Sequence, residues 1–204
     1  MIQNYNADKV SLFVLGGGSA GALGAYNLAN FFYDNLPNKE ALRVAPDSGF
    51  FLDWDKAEPA FTAEVNTIMG IVMTDSVDLY PACVAKYNSR EKCVFPQYYL
   101  DLIKAPLFVI ESEYDQWSLS FIVGTMCQNV NLSLKSCNSL SMKRIEDYRT
   151  SFMRIINPIV PLKPTWGYWI IACVKHVFDQ SESFFSGNYE VSMDSGWTLS
   201  DALN

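Results

Sequence analysis

The sequence predicts an α/β fold, with a mostly parallel sheet and helices on its faces. Three observations lead there. Short apolar runs alternate along the chain with longer stretches of helical periodicity. Half of the 204 residues are apolar, enough to bury a core. A glycine-rich turn at residues 16–18 separates the first apolar run from the first helical stretch. The length suits a single domain spanning residues 1–204.

Residues 10–15 form an apolar run that stops at the glycines and read as a buried strand. Residues 20–35 are rich in Ala and Leu and stop before Pro37, which predicts a helix in spite of Gly21 and Gly24. A second strand is expected over 41–45, ending at Pro46. A second helix is expected over 59–74, with Pro59 suited to its first turn. Residues 75–98 read as irregular. A third strand is predicted over 106–111, and helices over 116–128 and 142–157. The second of these would be capped by Ser139 or Ser141 and would end before Pro158. A fourth strand falls at 168–173, and a short last helix at 197–203. Because strands alternate with helices, neighbouring strands should run parallel.

The net charge of −7, with no basic run, argues against nucleic-acid partners, which require clustered Lys and Arg. No run of about 18 apolar residues predicts a transmembrane helix, and residues 1–6 lack the regions of a signal peptide. The cysteines point toward an oxidising compartment. Cys83 and Cys93 flank one short polar segment, and Cys127 and Cys137 another, spacings that suit loop-closing disulfides; Cys173 is left over. The plainer reading is five reduced, buried thiols. The sequon at Asn131 fits secretion. With one histidine and no C-x-x-C, no metal site is expected, and no cofactor.

Gly17-Gly18-Ser19-Ala20-Gly21 is a G-x-S-x-G sequence between a predicted strand and a predicted helix, the setting of a nucleophile elbow in α/β-hydrolase-like folds. So sharp a turn is expected to exclude side chains two residues either side of the serine, hence Gly17 and Gly21. It also sets Ser19 at a helix N-terminus, where backbone N–H groups favour developing negative charge. Gly16, Gly18 and Gly21 equally fit a dinucleotide-binding fingerprint, but that motif wants an acidic residue about 20 positions on, and Asp47 lies further away. A serine needs a base, and His176 is the only histidine. It follows the fourth strand, at the rim where a parallel sheet also places the elbow. The carboxylate that would orient the imidazole follows a strand end in the order Ser, acid, His. Asp115 is preferred, since intervening units often separate the acid's strand from the elbow. Asp47 satisfies the same order but also reads as a turn-forming residue, and Glu113 is a third choice. Asp53 and Asp55 read as a solvated loop. Trp117, Trp166, Trp169 and Trp197 could stack on sugars in a non-catalytic binding module, or could be buried.

These blocks resemble pectin acetylesterases and the related Notum carboxylesterases across nearly the whole chain. Gly17 to Gly21 with Leu23-Gly24 is similar to that family's elbow. Asp47-Ser48-Gly49-Phe50-Phe51-Leu52-Asp53 is similar to its next block. Cys93 to Tyr98, Pro106 to Val109 and Tyr114-Asp115-Gln116-Trp117 resemble the segment with the acid, and Ala172 to His176 the histidine block. The resemblance implies a triad of Ser19, Asp115 and His176, with Ala20 N–H in the oxyanion hole and Asp47 in support. It also implies a secreted, disulfide-bonded enzyme that removes an acyl group from polysaccharide or from a lipid-acylated substrate. Two departures stand out. Ala22 replaces a family glycine, and only 18 residues precede Ser19, so the upstream glycine-rich oxyanion loop and its strands have no counterpart. The expectation is an α/β-hydrolase-like domain incomplete at its N-terminus.

Overall fold

The computed structural model describes residues 9–72, 80–125, 127, 133–159 and 163–178. Four parallel strands form one sheet in chain order: β1 (Phe13–Gly18), β2 (Leu42–Asp47), β3 (Phe108–Ser112) and β4 (Gly167–Ile171). Parallel neighbours require crossovers. These are supplied by α1 (Ala20–Asn35), by α2 (Pro59–Val72) with α3 (Pro81–Tyr87), and by α4 (Gln116–Phe121) with α5 (Ser139–Ile159).

Side chains alternate across the sheet. One face puts Leu42, Val44, Leu107 and Val109 into the main core with Ala25, Tyr26 and Ala29 of α1. Ile145, Tyr148, Phe152 and Ile156 of α5 join it, recurring at helical spacing. The other face contributes Ile110 and Trp169, which pack with Phe178 in a second cluster.

The helix α1 spans residues 20–35 as expected. Other boundaries are corrected. The first strand begins at Phe13 rather than residue 10 and runs through the glycines, because Gly16, Gly17 and Gly18 pair with Ala45, Pro46 and Asp47. Glycine suits this register, since a Cβ on Gly16 would lie 3.0 Å from the Ala45 carbonyl oxygen. The second strand continues through Pro46 to Asp47. Val44 N–H donates to Pro106 O and Ser48 N–H to Ile110 O, each at 2.9 Å. Pro46 lies between them with no N–H to give, so it thins the β2–β3 ladder without ending the strand. β3 and β4 are each displaced from prediction by one or two residues.

The predicted helix 116–128 stops at Phe121. Val123 and Thr125 N–H fold back onto the Ser118 and Leu119 carbonyls, and Gly124 takes φ +72°. The helix α5 starts earlier than expected and is capped by neither serine. Asn138 Oδ1 accepts Ser141 N–H at 2.9 Å. Pro158 lies in its last turn rather than beyond it. Within the segment read as irregular, α3 is a seven-residue helix too short to leave a periodic trace. Disulfides join Cys83 to Cys93 and Cys127 to Cys137, and Cys173 is a free thiol. The predicted helix at 197–203, the last two residues of the helix expected over 59–74 and Asn131 of the sequon lie outside the described residues. Among the described residues, no helix is long and apolar enough to cross a membrane.

Candidate active site

The strand β1 ends at Gly18 and α1 begins at Ala20, so the whole turn is Ser19. Its backbone sits at φ 57°, ψ −122°, a strained conformation for a residue with a side chain. Two hydrogen bonds hold it: Ser19 N–H donates to Asp47 O at 2.9 Å, and Leu23 N–H to Ser19 O at 3.1 Å. Only one flanking glycine is sterically required. A Cβ on Gly17 would lie 2.8 Å from the Gly21 carbonyl carbon and 2.9 Å from its oxygen, whereas a Cβ on Gly21 would meet nothing within 4 Å. The expectation for Gly21 is corrected accordingly: what matters there is how closely its backbone approaches Gly17. Ala22, the departure from the family pattern, is fully buried. A Cβ on Gly49 would come within 2.4 Å of its methyl, so Gly49 leaves the room that Ala22 fills.

Asp115 caps α4. Its Oδ1 accepts Ser118 N–H at 2.7 Å, and its Oδ2 lies 2.6 Å from His176 Nδ1. The cap thereby turns the second oxygen toward the ring. His176, five residues beyond β4, places Nε2 2.8 Å from Ser19 Oγ. With Nδ1 donating to a carboxylate that can only accept, Nε2 keeps the lone pair that receives the serine proton. The ring is 19% exposed and the Asp115 side chain 4%, so the serine end of this chain opens toward solvent while the acid end is dry. The indole of Trp117 stacks beside the imidazole, with ring centroids 6.4 Å apart, and is backed by Phe51 and Phe61.

The alternative acids are engaged elsewhere. The carboxylate of Asp47 accepts Phe178 N–H at 2.6 Å and the Ser48 hydroxyl at 2.7 Å. Glu113 is ion-paired with Arg149. Asp53, read as part of a solvated loop, instead accepts the Tyr98 hydroxyl at 2.7 Å. Of the tryptophans considered for sugar stacking, Trp169 is buried against Phe178 and Trp166 donates to Ala105 O; Trp197 lies outside the described residues. The dinucleotide alternative fails on geometry. Gly16 and Gly18 belong to a strand, and the one-residue turn leaves no loop to wrap a pyrophosphate. No group of three or more His, Cys, Asp or Glu is arranged to hold a metal among the described residues.

Sequence reasoning missed Glu111. It is 3% exposed and accepts Phe50 N–H and Ser112 N–H, each at 3.0 Å. Burial, then the nearby Asp115 charge, with a smaller contribution from Asp47, push its carboxyl well above the ordinary value; the two N–H groups pull the other way. The available signal was an acidic residue at the end of an apolar strand run.

Residues 3–204 match the model of the family described as Pectinacetylesterase. Pectin acetylesterase 7 of Arabidopsis thaliana is 26% identical over 182 residues, covering 86% of this chain and 46% of that protein. Pectin acetylesterase 5 of the same plant is 27% identical over 175 residues, covering 80% of the chain and 40% of its own length. The chain thus spans about half the length, or less, of these curated relatives. Among solved structures, the Wnt deacylase Notum from Drosophila superposes in two crystal forms with TM-scores of 0.66 and 0.68. The identities are 19% and 18%, with 93% of this chain and about half of that one covered. Notum thus shares the α/β-hydrolase-like fold of the sheet and its flanking helices.

Proposed function

The chain belongs to the pectinacetylesterase family, and from that premise we propose that it is part of a serine carboxylesterase that removes acetyl groups from a polysaccharide through an acyl-enzyme. One observation carries the reading. An unbroken hydrogen-bond chain runs from Ser19 Oγ through His176 to Asp115, joining residues 157 and 61 positions apart. In this mechanism Ser19 Oγ attacks the ester carbonyl as His176 Nε2 takes its proton. Asp115 stabilises the imidazolium and keeps the ring oriented. The oxyanion forms at the start of α1, where Ala20 N–H has no intrahelical acceptor. His176 then gives the proton to the leaving sugar hydroxyl. Water, deprotonated by the same ring, releases acetate from the acyl-Ser19. The names of the plant relatives favour acetyl over long-chain acyl groups. The two disulfides favour an extracellular setting.

The test is fluorophosphonate labelling, together with acetate release from acetylated pectin, measured on the protein and on Ser19→Ala. Both signals should vanish in the variant, with kcat down by about 10⁵–10⁶. Equal labelling of Ser19→Ala would remove the assignment.

A further inference from the structure

Two residues outside the hydrogen-bonded three bear on both ends of the reaction. Asp47 and Ser48 leave the C-terminal end of β2, and neither exposes measurable surface. The Asp47 backbone carbonyl accepts Ser19 N–H at 2.9 Å. Its carboxylate accepts Phe178 N–H at 2.6 Å through Oδ2 and the Ser48 hydroxyl at 2.7 Å through Oδ1. Ser48 Oγ in turn accepts Val177 N–H at 3.0 Å. One dipeptide therefore grips the backbone of the nucleophile on one side, and on the other the two residues that follow the imidazole.

What it grips on the second side is strained. Val177 has φ +63°, a region that β-branched residues almost never occupy. Ser48 itself has φ +56°. Such dihedrals persist only where the surroundings over-determine them, and here the two left-handed residues meet at a single hydrogen bond. Directly after Val177, Phe178 is fully buried in its cluster with Ile110 and Trp169.

We propose that Asp47 and Ser48 are positioning residues for His176: they hold Val177 in its left-handed turn and so fix the imidazole at hydrogen-bonding distance from Ser19. The inference rests on the esterase reading for its catalytic consequence, but not for its structural one. A shift of the ring by about 1 Å can cost on the order of 10²-fold in rate, so a clamp on the residue after the base has leverage out of proportion to its size.

Because His176 is the only histidine in the chain, ¹⁵N-histidine labelling gives one imidazole to follow by NMR without any turnover. The experiment compares the wild-type chain with Ser48→Ala, Val177→Gly and the double variant. The clamp predicts that Ser48→Ala speeds solvent exchange of the Nδ1 proton about tenfold or more. It should also lower kcat on 4-nitrophenyl acetate about 10–100-fold with KM little changed. Glycine adopts positive φ without help, so both effects should shrink in the Val177→Gly background. If Ser48→Ala alone fails to fold, the double variant should fold. Unchanged proton exchange in Ser48→Ala, equal effects in both backgrounds, or a double variant as unfolded as the single one each overturn the proposal. Absence of turnover in the wild type counts against the esterase reading alone, since the ring proton still reports on the clamp.

Discussion

Asp115 illustrates how one residue can serve two geometries at once. As the cap of α4 it gives Oδ1 to Ser118 N–H, which leaves Oδ2 aimed at His176 Nδ1. Asparagine can keep the cap but offers only one oxygen, and its amide N–H₂ would face a donor. The expected outcome for Asp115→Asn is a loss in kcat of about 10⁴ with little loss of stability, measured by ester hydrolysis alongside thermal denaturation. Asp115→Ala should lose the cap as well, lowering stability by a further ~1 kcal/mol. Chain order admits both Asp115 and Asp47, and the preference for Asp115 came from the units that separate its strand from the elbow, whereas the geometry distinguishes them by what each carboxylate can reach. Asp47 is occupied by Phe178 N–H and the Ser48 hydroxyl, a use of an aspartate that no spacing rule anticipates.

At the level of elements, the elbow separates two glycines that look equivalent in the sequence. Gly17→Ala would drive a Cβ to within 2.8–2.9 Å of the Gly21 backbone, where neither β1 nor α1 can yield. It is expected to abolish folding or serine labelling. Gly21→Ala meets nothing within 4 Å and replaces glycine in the first turn of a helix, so labelling should persist and stability should hold or rise by up to ~1 kcal/mol. Soluble yield and fluorophosphonate labelling of the pair check this. The disulfides act at the same scale. Each closes a loop with a sequence separation of 10, for which chain entropy alone gives roughly 2.5 kcal/mol. Replacing Cys83 and Cys93 by alanine should lower Tm by about 5–10 °C. The α1 helix was legible because the glycine-rich turn before Ala20 and Pro37 after Leu36 mark both of its ends in the local sequence. The limits of β1 and β2 were not, because they depend on pairing between residues about 30 positions apart, which let glycines and Pro46 into strands that local rules would have closed.

Across the whole molecule, the parallel sheet explains why the site could be read in advance. Ser19, Asp115 and His176 each follow a strand, and parallel strands bring their C-terminal ends to one rim, so the G-x-S-x-G motif, the single histidine and position after predicted strands pointed to three candidate side chains that the structure brings together. Position said nothing about the ground beneath that rim, where Asp47, Glu111 and Asp115 are all buried. Glu111 bears the electrostatic consequence. Its carboxyl is raised well above the usual value of 4.5 by burial first and by Asp115 second. In the unfolded chain the same group ionises near its ordinary value, so between the two values the folded state binds a proton that the unfolded state has released. The stability Glu111 contributes is thus fully present below about pH 4 and is lost as pH rises through its raised folded value. Glu111→Gln stays uncharged throughout, although its amide can accept only one of the Phe50 and Ser112 N–H groups. The variant should therefore begin less stable than the wild type in acid and lose the downward slope, so that the gap narrows as pH rises from about 5 toward 8. Denaturant midpoints of both proteins across that range measure it. Curves that stay parallel would mean that Glu111 is already ionised in the folded protein, its charge held by the two backbone N–H groups in spite of burial.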